Sequence, residues 1–171
     1  MDLYVPESVI DDFDHALLDL VQRDNLTPAR VLAERVGLSE SAVLRRLRRL
    51  RREKIIAADI SIVRPDAIGL PLTIIALVSL ERENAGVLDA FARQARARDE
   101  VRQCWYVTGE SDLALVLQVE SMAAYEAFTR EMFGANPDVK AFKTLVAMRE
   151  IVGDGERRGR PLAGRKGKAR R

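Results

Sequence analysis

The chain is poor in the residues that build metal sites and covalent cross-links: among its 171 residues there is one cysteine, Cys104, and one histidine, His15. An internal disulfide is therefore excluded, and a Cys/His metal cluster lacks ligands. A Cys–His dyad would have to join a polar N-terminal helix to a strand of a different domain, so the cysteine reads as a packing residue. No stretch of about twenty apolar residues exists, and no signal-peptide pattern follows Met1. The expectation is thus a cytoplasmic protein with no membrane contact. A glycine-rich phosphate loop and paired carboxylates converging on a cleft are also missing, so no enzyme and no cofactor are expected.

What is present is apolar mass and unevenly placed positive charge. Hydrophobic residues make up 47% of the chain, enough for one medium domain or two small ones. The net charge of +2 conceals an asymmetry, because residues 153–171 hold eight Lys or Arg against two acids and the remainder carries 20 basic against 24 acidic residues. Basic surface is concentrated in that tail and in residues 45–54, which hold seven Lys or Arg against one acid, Glu53. Two separate basic elements point to two contacts with one polyanion.

The second basic element belongs to the most informative stretch, Thr27 to Arg52. Thr27 is a good N-cap with Pro28 in the first helical position, and Val31, Leu32 and Val36 give a short helix one buried side. Gly37, Leu38 and Ser39 break it: glycine accepts the turn conformation, Leu38 tucks inward, and Ser39 caps the next helix. Ala33 and Val43 stand where the two helices must cross closely. In the second helix Val43, Leu47 and Leu50 recur at i, i+4 and i+7, while Arg45, Arg46, Arg48, Arg49, Arg51 and Arg52 fill the remaining circumference. A solvated helix mixes signs to gain i,i+4 pairs; this one does not. A lipid surface is a weaker anion candidate than DNA, since bulky exposed apolar residues are lacking and the capped helix and glycine turn would go unexplained.

Around this motif the periodicity predicts a first helix over residues 10–23, with Ile10, Phe13, Leu17, Leu18 and Val21 inward. After Lys54 a β-type run, Ile55 to Val63, predicts a linker strand and a winged helix-turn-helix head over residues 1–64. Pro65, Gly69 and Pro71 mark a boundary. Residues 65–152 then read strand, helix, strand, strand, helix, strand: Leu72 to Arg82; a helix after Asn84; Val101 to Val107; Asp112 to Glu120; a helix capped by Ser121 and ended by Gly134 and Pro137; and Val139 to Ile151. This is the βαββαβ order of a ferredoxin-like domain, so the fold class is α+β. Strands one and three are apolar at both parities, as with Leu113, Leu115 and Leu117 against Ala114 and Val116. A second layer, most simply the same sheet of another subunit, should cover the open face and make a homodimer with paired DNA heads.

These features together resemble the Lrp/AsnC, or feast/famine, family of transcription regulators over about residues 10–152. The most specific parts are Ile10-Asp11 with Asp14 and Leu17-Leu18, the run Leu32 to Ser39 leading into Ser41 to Leu50, and Cys104, Val107-Thr108-Gly109 and Asp112-Leu113 in the second domain. The resemblance implies a DNA-binding head, a linking strand, and a C-terminal domain that dimerises, assembles further, up to rings of eight, and binds an amino acid or related metabolite. Family effector sites lie around the turn that is Thr108, Gly109, Glu110, Ser111 and Asp112 here. Glycine lets backbone approach a ligand, N–H groups can meet a carboxylate, and Asp112 can meet an ammonium. The alternative is a plain hairpin turn, with Gly109 at positive φ and Asp112 capping it. Two departures stand out: Lys54 occupies a position that is usually glycine, and Ser111 one that is often aromatic.

On double-stranded DNA, Ser39, Glu40, Ser41 and Leu44 are expected at base edges, Arg45 is the longest reader, and Arg46 and Arg49 are expected on phosphates. Thr27 and the start of its helix would grip the backbone. Residues 153–171 read as a disordered basic tail without a family counterpart, in which Arg158-Gly159-Arg160-Pro161 is similar to the core of an AT-hook. The leading expectation is a metabolite-responsive, sequence-specific regulator. The alternative is an architectural DNA-binding protein with little sequence choice.

Overall fold

The computed structural model describes residues 10–82 and 84–151, and they divide into two compact units, one up to Ile62 and one spanning Val63–Glu150. The basic tail and its Arg-Gly-Arg-Pro segment lie outside the described residues.

The first unit is helical. Helix α1 (Asp12–Arg23) starts from a capping box in which the Asp11 carboxylate accepts the Asp14 N–H at 2.9 Å and the Asp14 carboxylate accepts the Asp11 N–H at 3.2 Å. Helix α2 (Ala29–Val36) ends at Gly37, whose φ of 70° allows the Gly37 and Leu38 N–H groups to return to the Ala33 carbonyl. Helix α3 (Glu40–Arg52) begins at Ser39, whose hydroxyl accepts the Ala42 N–H. The core is Leu17, Leu32, Ala33, Val43, Leu47 and Leu50, with Leu38, Ile55 and Ile56 packed against it. Burying Val43, Leu47 and Leu50 supplies roughly 1.5–3 kcal/mol each, and this, more than helix propensity, holds α3 in place.

Three expectations need correction here. Pro28, not Thr27, is the N-cap of α2: the Leu32 N–H meets the Pro28 carbonyl, and the Thr27 hydroxyl is turned back to donate to the Asp24 carboxylate at 3.2 Å. Phe13 is exposed, and the fully buried position on that side of α1 is Asp14. Residues 55–63 form no strand, and no strand precedes Leu72 among the described residues, so the head carries no wing. The reason is a shortage of partners: residues 12–52 are almost wholly helical, so an extended segment beside them finds no unpaired backbone edge. Ile55 and Ile56 pack on the helices instead, while Ile60, Ile62 and Val63 are left exposed.

The second unit is a four-stranded antiparallel sheet with spatial order β2-β3-β1-β4, built from β1 (Leu72–Leu80), β2 (Val101–Tyr106), β3 (Leu113–Val119) and β4 (Val139–Val146). Helices α4 (Ala85–Arg96) and α5 (Met122–Thr129) provide its cover, and α5 runs on into a π-helical turn, Arg130–Gly134. The register pairs Ile74 with Leu117 and Ala76 with Leu115, so one parity of both central strands meets Phe91, Ala95, Tyr125 and Phe128 in a single core. Strand β4 stops five residues short of the expected Ile151. The Ala147 N–H still bonds the Thr73 carbonyl, but β1 begins at Leu72 and offers no partner beyond it. The opposite parity places Ile75, Leu77, Ala114, Val116, Trp105 and Leu145 on the face away from the helices. Trp105 and Leu145 are 47% and 46% exposed there.

Candidate nucleic-acid interface and effector turn

The arginines of α3 fall into two sets. Arg45, Arg48 and Arg52 are exposed, at i, i+3 and i+7 along one line of the helix. Arg46 and Arg49 turn toward α1. Arg46 Nη1 donates to Asp11 Oδ2 at 2.8 Å and to Asp14 Oδ1 at 2.9 Å, and its guanidinium lies 5.4 Å above the Phe13 ring. Arg49 Nη2 donates to Asp14 Oδ2. Asp14 is fully buried, so its charge is tolerable only because two guanidiniums and the Asp11 N–H surround it. The sequence placed Arg46 and Arg49 on phosphates; in the structure both bind α3 to the first turn of α1. Burial alone would raise the Asp11 carboxyl pKa, but the Asp14 N–H and the Arg46 guanidinium outweigh it and hold it below the usual value.

Arg45, Arg46, Arg49 and Arg52 together with Asp11 line an open groove of about 450 Å³ beside α3. At the helix start Ser39, Glu40, Ser41 and Leu44 are exposed, and the Ser39 and Ser41 hydroxyls lie 3.2 Å apart. The far end of α3 is closed by Lys54 at φ 58°, the left-handed conformation that glycine favours. The Lys54 N–H bonds the Arg51 carbonyl and the Ile55 N–H the Leu50 carbonyl, so the helix end expected of a glycine is formed without one. Arg51 is spent on a bidentate pair with Asp59, at 2.7 and 3.0 Å.

In the second unit, Gly109 has φ 140°, and Asp112 Oδ2 accepts the Leu80 N–H at 2.7 Å. The positive φ is what a plain turn requires of Gly109, but the Asp112 carboxylate reaches the end of β1 rather than the backbone of its own turn. A hollow of about 300 Å³ nevertheless lies there, lined by Tyr106, Val107, Thr108, Gly109 and Asp112. Of the expected effector residues, Thr108, Gly109 and Asp112 come together in it. Glu110 and Ser111 do not line it, and the Glu110 carbonyl accepts the Ser79 hydroxyl instead. Tyr106 and Val107 also line the hollow and were not singled out as effector residues, because strand alternation assigns a residue to a face but does not say which strand end meets a hollow. Cys104 is exposed on β2, and desolvation, only partly opposed by Arg96, pushes its thiol pKa up, the reverse of an activated nucleophile.

A capped helix-turn-helix with a cationic second helix, joined in one chain to a βαββαβ unit, defines a DNA-binding transcription regulator. Family models bear this out: an AsnC-type helix-turn-helix domain matches residues 10–51 and an Lrp/AsnC ligand binding domain residues 73–156. The chain is 46% identical over 142 residues to an uncharacterised HTH-type transcriptional regulator of Sinorhizobium fredii, covering 83% of this chain and 84% of the relative. It is 31% identical to the leucine-responsive regulatory protein of Rhizobium meliloti, over 83% of this chain and 91% of that one. Among solved structures, a Neisseria meningitidis transcriptional regulator in complex with L-Met aligns with a TM-score of 0.79 and 28% identity, over 85% of this chain and 94% of that one. The protein belongs to the Lrp/AsnC family of transcription regulators. The family is made of regulators rather than enzymes, and no helix among the described residues is long and apolar enough to cross a membrane.

Proposed function

We propose that this regulator reads a specific DNA site as a dimer or higher oligomer and responds to an amino acid or a related metabolite. The observation that carries the first part is the division of the α3 arginines. Ser39, Glu40, Ser41, Leu44 and Arg45 are the base-edge set, and Arg48 and Arg52, one and two turns on, take phosphates. Thr27 contributes at most through backbone near the start of α2, because its hydroxyl is engaged by Asp24. Arg46 and Arg49 fall outside the phosphate-contacting set, because they are engaged by Asp11 and Asp14 and their side chains are only 23% and 32% exposed.

Oligomer formation is supported by the apolar sheet face that holds Trp105 and Leu145, since large exposed apolar patches mark association surfaces. Effector binding is supported by the hollow at Gly109, where Asp112 has one oxygen left for an ammonium, and by the L-Met complex of the Neisseria relative.

One titration tests the whole reading: full-length protein against DNA upstream of its own and neighbouring genes and against random duplex, in physiological salt, with each amino acid in turn. A preference for the upstream DNA that one amino acid shifts is the expected result. Equal binding to both, unmoved by any amino acid, would favour the architectural alternative. Substituting Ser41 or Arg45 should change which sequences are preferred, whereas Arg48→Ala should weaken all duplexes alike.

A further inference from the structure

We infer that the buried Asp14, with Asp11, acts as a restraint on the reading helix: it withholds Arg46 and Arg49 from the phosphate backbone and so limits sequence-independent DNA affinity. This rests on the reading of α3 as the DNA-contacting helix.

The argument starts from charge and position. Four guanidiniums line the groove beside α3, enough to hold a phosphate chain regardless of base sequence. Two of them, Arg46 and Arg49, share the Asp14 carboxylate, and Arg46 also holds Asp11. Asp14 is fully buried whereas both arginines remain partly exposed at the groove, so the acid is fixed and the arginines are the movable partners. Phe13 beneath the Arg46 guanidinium adds a second hold on that side chain. For either arginine to take a phosphate fully, Asp14 would have to lose a partner in a site where an uncompensated charge is costly. Phosphate contacts supply affinity without sequence information, so withholding two of them lowers binding to random DNA more than it lowers the base-reading term. Asp14 is thus a positioning residue whose effect on DNA is exerted through Arg46 and Arg49.

The test is the salt dependence of binding to random and upstream duplexes by full-length wild type and four variants. Arg48→Gln calibrates one true phosphate contact and should flatten the slope of log K against log salt by about 0.9. Arg46→Gln should leave the slope unchanged. Asp14→Asn should steepen it by about 0.9 or more and raise affinity for random duplex at low salt. Over a fourfold rise in salt it would then lose roughly 3.5-fold more affinity than wild type. Asp12→Asn, which removes an exposed charge on the same turn of α1, should change the slope little. If Asp14→Asn does not fold by far-UV circular dichroism, Asp11→Asn decides; asparagine keeps the N-cap, Arg46 loses one of its two acids, and a smaller steepening is expected. A slope flattened in Arg46→Gln, or acid variants no steeper than Asp12→Asn, would overturn the restraint while leaving α3 as the reader. Wild type that binds neither duplex would overturn the reading of α3 and the restraint with it.

Discussion

The two units of this chain are held together by different physics. The helical unit has a small aliphatic core and, beside it, a buried carboxylate shared by two arginines. The sheet unit has a larger core with no buried charge among its described residues, filled by Phe91, Tyr125, Phe128 and Phe133. The Phe128 and Phe133 rings meet edge to face at 5.5 Å, and the one polar tip, the Tyr125 hydroxyl, is 2.7 Å from the Thr144 hydroxyl. In the helical unit the aliphatic core holds α3 by burial, and the directional ion pairs of Arg46 and Arg49 with Asp14 add a restraint that non-directional burial does not supply. The cost is that the DNA-reading unit depends on charge state, while the sheet unit depends on shape.

Phe128→Ala should have the largest effect, about 3–5 kcal/mol lost from the sheet unit through transfer and cavity terms. Trp105 is the only tryptophan and sits in β2, so its fluorescence during urea unfolding reports that unit. A loss below about 1 kcal/mol would mean the aromatic core can collapse around the gap. Asp14→Ala should cost the helical unit less, about 1.5–3 kcal/mol, because it removes the buried carboxylate that joins α1 to α3 while Arg46 keeps Asp11 and both guanidiniums still reach water. Amide hydrogen exchange should accelerate in α1 and α3 while β1 and β3 stay protected. Equal acceleration in both units would erase the comparison.

Lys54→Gly should stabilise the helical unit by about 1 kcal/mol, since a left-handed lysine pays a steric cost that glycine does not. Slower exchange at the end of α3 would register the gain; unchanged protection would show that the lysine side chain compensates. The smallest effect concerns acid. Asp11 is held below its ordinary 3.8 despite the opposing effect of burial, so its pairing contributes stability above that pH and loses it as pH falls further, through the lowered folded-state value. Asp11 is 44% exposed, and screening limits the share to less than about 1 kcal/mol. The fall in α3 protection between pH 5 and pH 3 should therefore shrink in Asp11→Asn, with the Trp105 signal unaffected by the substitution.

Several parts of this molecule could be read directly because they depend on neighbours in the chain. The Gly37 turn, the Ser39 and Ser121 caps, and the inward spacing of Val43, Leu47 and Leu50 all follow from local geometry. The βαββαβ order was legible for the same reason, since helix and strand periods alternate without ambiguity after Pro71. Failures came wherever a residue's role depends on something distant. Residues 55–63 have the composition of a strand, but a strand exists only where an unpaired edge meets it. Asp14 could have been singled out as a polar residue three before the buried Leu17, yet only the packing of α3 against α1 supplies the arginines that make it an anchor.

Sequence by itself determined the helix-turn-helix, the ferredoxin-like order and the concentration of arginine on one helix, because periodicity, capping and turn chemistry act within a few residues. Tertiary structure alone decided which arginines face outward and which are bound to Asp11 and Asp14, thirty-odd residues away in the chain. It also decided that Tyr106 joins Gly109 and Asp112 around one hollow. A guanidinium on a helix has no preferred partner until another element brings one within about 3 Å, and no local pattern encodes that distance.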